Sequence, residues 1–564
     1  MLSMLLLEMT ALAGGGPANV MVMVNGEDLS AMAVADHYAD VRSLPPGHIC
    51  PINGVDPEAN SIALDDYIST ILDGLNGCLS TLPQQEEVDY LVLVRGLPYR
   101  VSLPTGSSVS LSAMLQVSNT TKSTTGEPLA GFPISTWGGV KQASIENPWY
   151  VGSSPTDVYT LENTYMGHYS TAITIASDDQ QPRAPRRQSA PLSHLWEYTG
   201  NLFIVSLLDG FDHEDAMDLI DRGAASDGSF PTAPITCMTA ADSARGARDP
   251  ECAFATDLLA RAGIPAQYIE SHDAELSGES LAGLLTGTTD FADGIEGNEW
   301  VAGAFAGNLT SFGAVPNNFR CADDGTCPAS ESQTSIARFI RGGATFAHGT
   351  ASEPLNNCFP GAGMFLLSTM GYSAIESALM TQRFLYWQNV YLGDPLSAPW
   401  AERPVLNIST DLPVNRPPDI TATHPNGIAE LRLYVDGVRV DPLTSLEESL
   451  GLTEGTDVTL LAVALAENAP VVRDGWPQPD QRPRPDIQGW ATAEVTLASA
   501  ITDPATAEDT GRDEGFTPPE PSKRSADGGC STLHRGAASA SWWMALICAC
   551  ARRRREHVAP AASP

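Results

Sequence analysis

Ser311, His348 and Asp209 are residues whose types could together perform nucleophilic chemistry: a hydroxyl to attack, an imidazole to take its proton and a carboxylate to orient the imidazole. Glu353 places a second carboxylate shortly after His348. Ser311 stands in Leu309-Thr310-Ser311-Phe312-Gly313, which lacks the Gly-x-Ser-x-Gly elbow of α/β-hydrolases, and polar residues at strand ends also cap helices or bind backbone. The sequence has no G-x-x-x-x-G-K-[ST], H-E-x-x-H, C-x-x-C or Rossmann glycine run, so neither a metal centre nor a cofactor is expected. Asp323-Asp324-Gly325 and the set Asp209, Asp212 and Asp215 offer carboxylates without the ligand alternation of an EF-hand, and read as a turn and an acidic helix start. Cys321 and Cys327 bracket a turn-like segment and are expected to close a disulfide loop; Cys237 with Cys252, and Cys50 with Cys78, are further candidate pairs.

The elements that must position these groups follow from hydrophobic pattern. The run from Val20 to Asn25 reads as a buried strand, followed by a helix capped at Asp28 or Ser30 with Ala31, Val34, Ala35 and Tyr38 at helical spacing. Ile62 to Leu79 reads as helical and Asp89 to Val94 as a second buried strand. Further strands are expected at Leu202 to Leu208, Pro234 to Met238, Val301 to Leu309 and Ala344 to His348. Intervening helices are expected at Asp212 to Arg222, Phe254 to Ala262 and Thr334 to Ile340, and a final core helix at Tyr372 to Leu385. This rhythm implies an α/β fold, a mostly parallel sheet with helices on both faces, in which ligands bind beyond the strand carboxyl ends. Arg95, Asp209, Thr310, Ser311, His348, Ser352 and Glu353 all fall at or near such ends.

The expected organisation is a signal-peptide-like segment at 1–18 and an α/β domain in two parts, 19–100 and 192–402, with a strand-rich insertion and loop at 101–191. A small β-sandwich follows at 403–500, where period-two alternation meets Asp-Gly turns, then a disordered stalk at 501–529 and a tail at 530–564. The first segment has an apolar run from Leu2 to Ala13 and a small-residue end, although Glu8 interrupts it and no basic residue precedes it. With 31 Lys and Arg against 68 Asp and Glu, the net charge of −37 excludes nucleic acid as an expected partner.

In the tail, Gly529-Cys530 precedes an apolar stretch from Ala537 to Ala551 and the cluster Arg552 to Arg555. This order resembles the myxobacterial C-terminal sorting domain. The resemblance implies a transient membrane anchor, processing at Gly529 and Cys530 by a sorting protease or membrane machinery, and delivery to the cell surface or outer membrane.

Most of residues 20 to 400 resembles a bacterial family of unassigned activity found in species that carry exosortase-type sorting systems. The matching pieces are Val24-Asn25 with Tyr38-Ala39-x-x-Arg42, Tyr90 to Leu93 with Gly96-Leu97-Pro98, Leu208-Asp209-Gly210, Leu309 to Gly313, Gly343 to Thr345 with Gly349 to Pro354, and Gly393-Asp394-Pro395-Leu396. The later part is also distantly similar to the caspase/gingipain fold. That likeness implies a His after one strand and a Cys after the next, but here the Cys position reads Thr310-Ser311, the preceding strand region from Gly283 to Asp290 has no His, and Cys358 lies on a Pro-Gly-rich loop. The function expected is therefore that of an exported surface protein that binds or processes an extracellular protein or polymer. A serine-type hydrolase and a structural envelope component are the other readings.

Overall fold

The computed structural model describes residues 15–104, 106–118, 203–240, 244–270, 276–315, 333–354, 356–467 and 487–501, with a few short strands between 120 and 198. The signal-like segment, Cys321 and Cys327, Asp323-Asp324-Gly325, the stalk and the tail with Gly529 and Cys530 lie outside the described residues. Among the described residues no helix is long and apolar enough to cross a membrane.

Ten strands form one sheet: β1 (Val20–Asn25), β2 (Ile49–Ile52), β3 (Tyr90–Val94), β4 (Ile204–Leu208), β5 (Ile235–Met238), β6 (Ala266–Ile269), β7 (Ser280–Thr286), β8 (Glu299–Asn308), β9 (Phe346–Thr350) and β10 (Asn389–Gly393). Their order is β6-β5-β7-β8-β9-β10-β4-β3-β1-β2. Continuous apolar runs such as Val20 to Val24 and Tyr90 to Val94 are buried throughout, as both faces of a covered parallel sheet require. The α/β class expected from the sequence is thus the observed one, and β1 has the expected limits.

Two halves of the sheet repeat one plan. In β2-β1-β3-β4 and in β6-β5-β7-β8-β9 the first strand lies between the second and the third, and all neighbours within each half are parallel. β10 joins the halves and runs antiparallel to β9. It meets β4 in one local pair of parallel sense, Leu207 with Leu392, but its course is fixed by its ends. Trp387, just before it, accepts from the Ser110 amide and donates its indole N–H to the Ser352 carbonyl at the strand carboxyl ends. Asp394, just after it, meets Tyr38 and Arg42 at the far end of the first helix, α1 (Leu29–Arg42). Both halves therefore present their carboxyl ends on one rim.

α1 is capped by Asp28, whose carboxylate accepts from the Ser30 and Ala31 amides, and α2 (His213–Ser226) is capped by Asp212. The helix expected from Ile62 to Leu79 is observed as one continuous helical run from Leu64 to Thr81, with a π-helical segment at Tyr67–Leu72, after a short strand at Ser61–Ala63. The helix expected from Tyr372 to Leu385 stops at Thr381, because a central antiparallel strand has to begin at Asn389. Cys50 is bonded to Cys78 and Cys237 to Cys252, tying β2 and β5 to helices beside them.

Residues 405–466 and 488–496 form a four-stranded antiparallel sheet and a two-stranded one, β11 (Val405–Ile408) with β12 (Ile420–Thr423). The larger sheet is built from β13 (Ile428–Val435), β14 (Val438–Val440), β15 (Asp457–Ala466) and β16 (Gln488–Thr496). Ile408, Val414, Leu433 and Leu460 share one buried cluster there. This part docks at the amino-terminal edge of the large sheet: Gln488 donates to Asn19 at 3.1 Å, and Tyr434 donates to Glu87 at 2.5 Å.

Candidate functional site

At the rim above β3, β4 and the start of β10 lies a small open cleft. Its walls include Leu93, Leu97, Pro98, Leu111, Leu207 and Val390, with Asn60, Tyr99, Ser112 and Asp209 as polar groups. Leu207 is the informative member. It lies in β4, an interior strand whose other residues are all buried, yet it is half-buried because the cleft opens over it. The site also sits next to the β1–β3 switch point, where the chain's progress across the sheet reverses and crevices form.

Charge gathers along the rim beside it. Arg95, just past β3, donates from Nη1 to Asp209 Oδ1 at 2.8 Å and to the Gly210 carbonyl at 2.9 Å, and both partners are about seven-eighths buried, at 12% and 13% exposure. Next to Arg95, Gly96 has φ +97°, and a Cβ there would come within 3.0 Å of Asp28 Oδ2. Only glycine fits both the conformation and the space. His213 Nε2 lies 4.0 Å from the same Asp28 oxygen. Partial burial, reinforced by the Arg95 charge and opposed by Asp28, Asp209 and Asp212, lowers the His213 pKa, which favours the neutral ring. Asp212 and Asp215 are bound by Arg341, and Asp215 also accepts from the Phe211 amide at 2.8 Å. The three aspartates expected at a helix start therefore serve guanidinium and backbone groups.

The structure does not bring Ser311, His348 and Asp209 together. Ser311 follows β8 and Asp209 follows β4, with β9 and β10 between them; three strand spacings amount to roughly 14 Å. His348 lies within β9, opposite Tyr391 and fully buried, and its Nε2 is paired with Asn389 Oδ1 at 3.0 Å. Burial, aided by the Arg248 charge and opposed by the Asn389 hydrogen bond, pushes its pKa down to about 3. Such a ring is neutral at ordinary pH and packs between Phe359 and Tyr391. Ser311 is half-buried and its carbonyl accepts from Thr350 Oγ1 at 3.0 Å. Glu353 is exposed just past β9.

The ends of β7 and β8, which the peptidase resemblance would use, carry Thr286 and Thr288 with their hydroxyls 3.1 Å apart, and Asn308, which donates to the Thr288 carbonyl at 3.0 Å. Cys358 is buried in a loop whose Asn356, Phe359 and Pro360 carbonyls accept from the buried Arg248 guanidinium. Burial lowers the Arg248 pKa to about 10. Sequence reasoning named Arg95 and Asp209 but missed Leu207, His213 and Arg248. For Leu207 the position of β4 inside the sheet, invisible in one strand's pattern, was the missing signal.

No family model matches the chain, and no curated protein matches it. A solved structure titled "Structure of Protease" aligns over 86% of this chain and 98% of its own at 9% identity, with a TM-score of 0.36. The separase–securin complex of Saccharomyces cerevisiae aligns over 35% of this chain and 16% of its own at 10% identity, with a TM-score of 0.21. These likenesses are too slight to carry chemistry across; the α/β architecture with its mostly parallel sheet stands on the strand pairing itself.

Proposed function

We propose that the protein is an exported, surface-displayed binding protein whose rim cleft holds part of an extracellular protein or polymer. The observation that carries this reading is the half-buried Leu207 in the interior of the sheet, beside the Arg95–Asp209 pair: an apolar floor left open with oriented polar groups at its edge. Two disulfides favour an oxidising compartment. The tail motif around Cys530 favours sorting to the surface through the carboxyl end. The chain's path suits such display. β16 starts at Gln488 against the amino-terminal edge of the large sheet, opposite the strand carboxyl ends that bear the cleft.

The test has two arms. Proteolytic shaving of intact cells followed by mass spectrometry is expected to release this chain ending near Gly529 or Cys530; surface protein still carrying residues 551–564 overturns the sorting part. Replacing Leu207 by Trp to fill the cleft is expected to abolish retention of purified extracellular protein or polymer fractions while the melting curve is kept. Retention unchanged in that variant would favour a structural envelope role.

A further inference from the structure

Resting on that binding reading, we infer that the cleft's ligand is a peptide that inserts an apolar side chain and carries a basic residue beside it. The shape of the site selects the first element. Leu93, Leu207, Val390 and Leu111 come from β3, β4, β10 and the segment after Ser110, so aliphatic carbon is supplied from several directions around one opening. Leu93 and Leu207 are register partners on neighbouring strands and present the same face. A leucine- or phenylalanine-sized side chain placed over Leu207 would complete the burial that this interior position lacks.

The sparse polar lining argues against a sugar. A saccharide brings a hydroxyl on nearly every carbon, and each one buried without a partner costs free energy. The cleft offers one aromatic ring, Tyr99, and a few hydrogen-bonding side chains at its edge. Those few suit a peptide, whose side chain is wholly apolar and whose backbone carries one donor and one acceptor per residue.

Charge selects the second element. Asp209 lines the cleft, and along the rim beside it Asp28, Asp212 and Asp215 join it against three guanidiniums, Arg95, Arg341 and the Arg100 stacked on Tyr99, with His213 favoured as the neutral ring, so carboxylates are in excess by one. The whole chain adds a net −37, which draws cationic segments towards it and repels acidic ones.

The experiment is an NMR or calorimetric titration of the full chain with acetyl-Gly-Leu-Lys-Gly-amide, the same peptide with Ser for Leu, the same with Glu for Lys, and a neutral hexasaccharide. The Leu-Lys peptide is expected to bind about tenfold or more tightly than the Ser-Lys peptide. It is also expected to bind several-fold more tightly than Leu-Glu, a gap that narrows as salt rises from about 0.05 to about 0.5 M. Leu207→Trp should remove the Leu-over-Ser preference, and Asp209→Asn should reduce the Lys-over-Glu preference. If either variant fails to fold, the wild-type series alone decides. Binding of the hexasaccharide without the peptides, or equal binding of the Leu and Ser peptides, overturns the peptide inference and leaves the binding reading standing. If no probe binds and filling the cleft also leaves retention of extracellular material unchanged, both fall.

Discussion

Arg42 and Asp394, 352 residues apart in sequence, are joined in the buried interior: Arg42 Nε donates to Asp394 Oδ2 at 2.6 Å, and Tyr38 donates to the other oxygen at 2.8 Å. Arg42 Nη1 reaches Asp227 at 2.6 Å, and although burial opposes it, Arg403 and Arg42 hold the Asp227 carboxyl below its usual range. The network clamps α1, the end of α2 and the turn after β10 under the sheet edge opposite the cleft. Asp394→Asn leaves a buried guanidinium short of its counter-charge and is expected to cost about 3–5 kcal/mol, read from urea or guanidinium unfolding. A loss below about 1 kcal/mol would show that the pair is not structural.

Stability should fall in acid through buried histidines. His348, with its pKa near 3, and His48, lowered by burial while its Nδ1 pairs with the Val20 carbonyl at 2.6 Å, both bind protons more weakly folded than unfolded. Their unfolded pKa is about 6.5. The stability is therefore complete above that value and is lost as pH falls towards the folded pKa. Unfolding midpoints at about pH 7.5 and about pH 4.5 should differ by less in His348→Gln than in the wild type. Equal slopes would mean that the His348 ring titrates normally.

Ser311→Ala is expected to leave both fold and ligand retention unchanged, since three strand spacings separate the serine from Asp209 and His348 is committed to Asn389. A fluorophosphonate probe that labels the wild-type protein at Ser311, and not the alanine variant, would restore the hydrolase reading.

The Cys50–Cys78 bond closes a span of 28 residues that holds edge strand β2 against its helix. Replacing both cysteines by alanine should lower stability by about 2–4 kcal/mol, and the loss should be seen only under non-reducing conditions. An unchanged melting temperature would show that packing alone holds that edge.

Much of the frame was legible in the sequence because it depends on local pattern. Apolar runs with no polar alternation can only be strands covered on both faces, so β1, β3 and β5 and the α/β class followed from them. Asp28 and Asp212 announced helix starts because a short carboxylate satisfies free amides wherever it precedes a helix. The disulfides Cys50–Cys78 and Cys237–Cys252 were among the candidate pairs, though pairing needs proximity that spacing does not supply.

The tertiary structure alone decided the site. Ser311, His348 and Asp209 are each near a strand end by sequence, but catalysis needs neighbouring strands, and strand order is set by how the whole chain winds. β10, a short run that local pattern does not mark as a strand, inserts between β9 and β4 and separates those residues. The cleft beside it leaves Leu207 half-covered, and the pairing of β3 with β4 brings Arg95 onto Asp209, because side chains from distant segments meet only where the finished sheet places them. Residue type and spacing thus determined which groups could do chemistry, and long-range packing determined which of them meet.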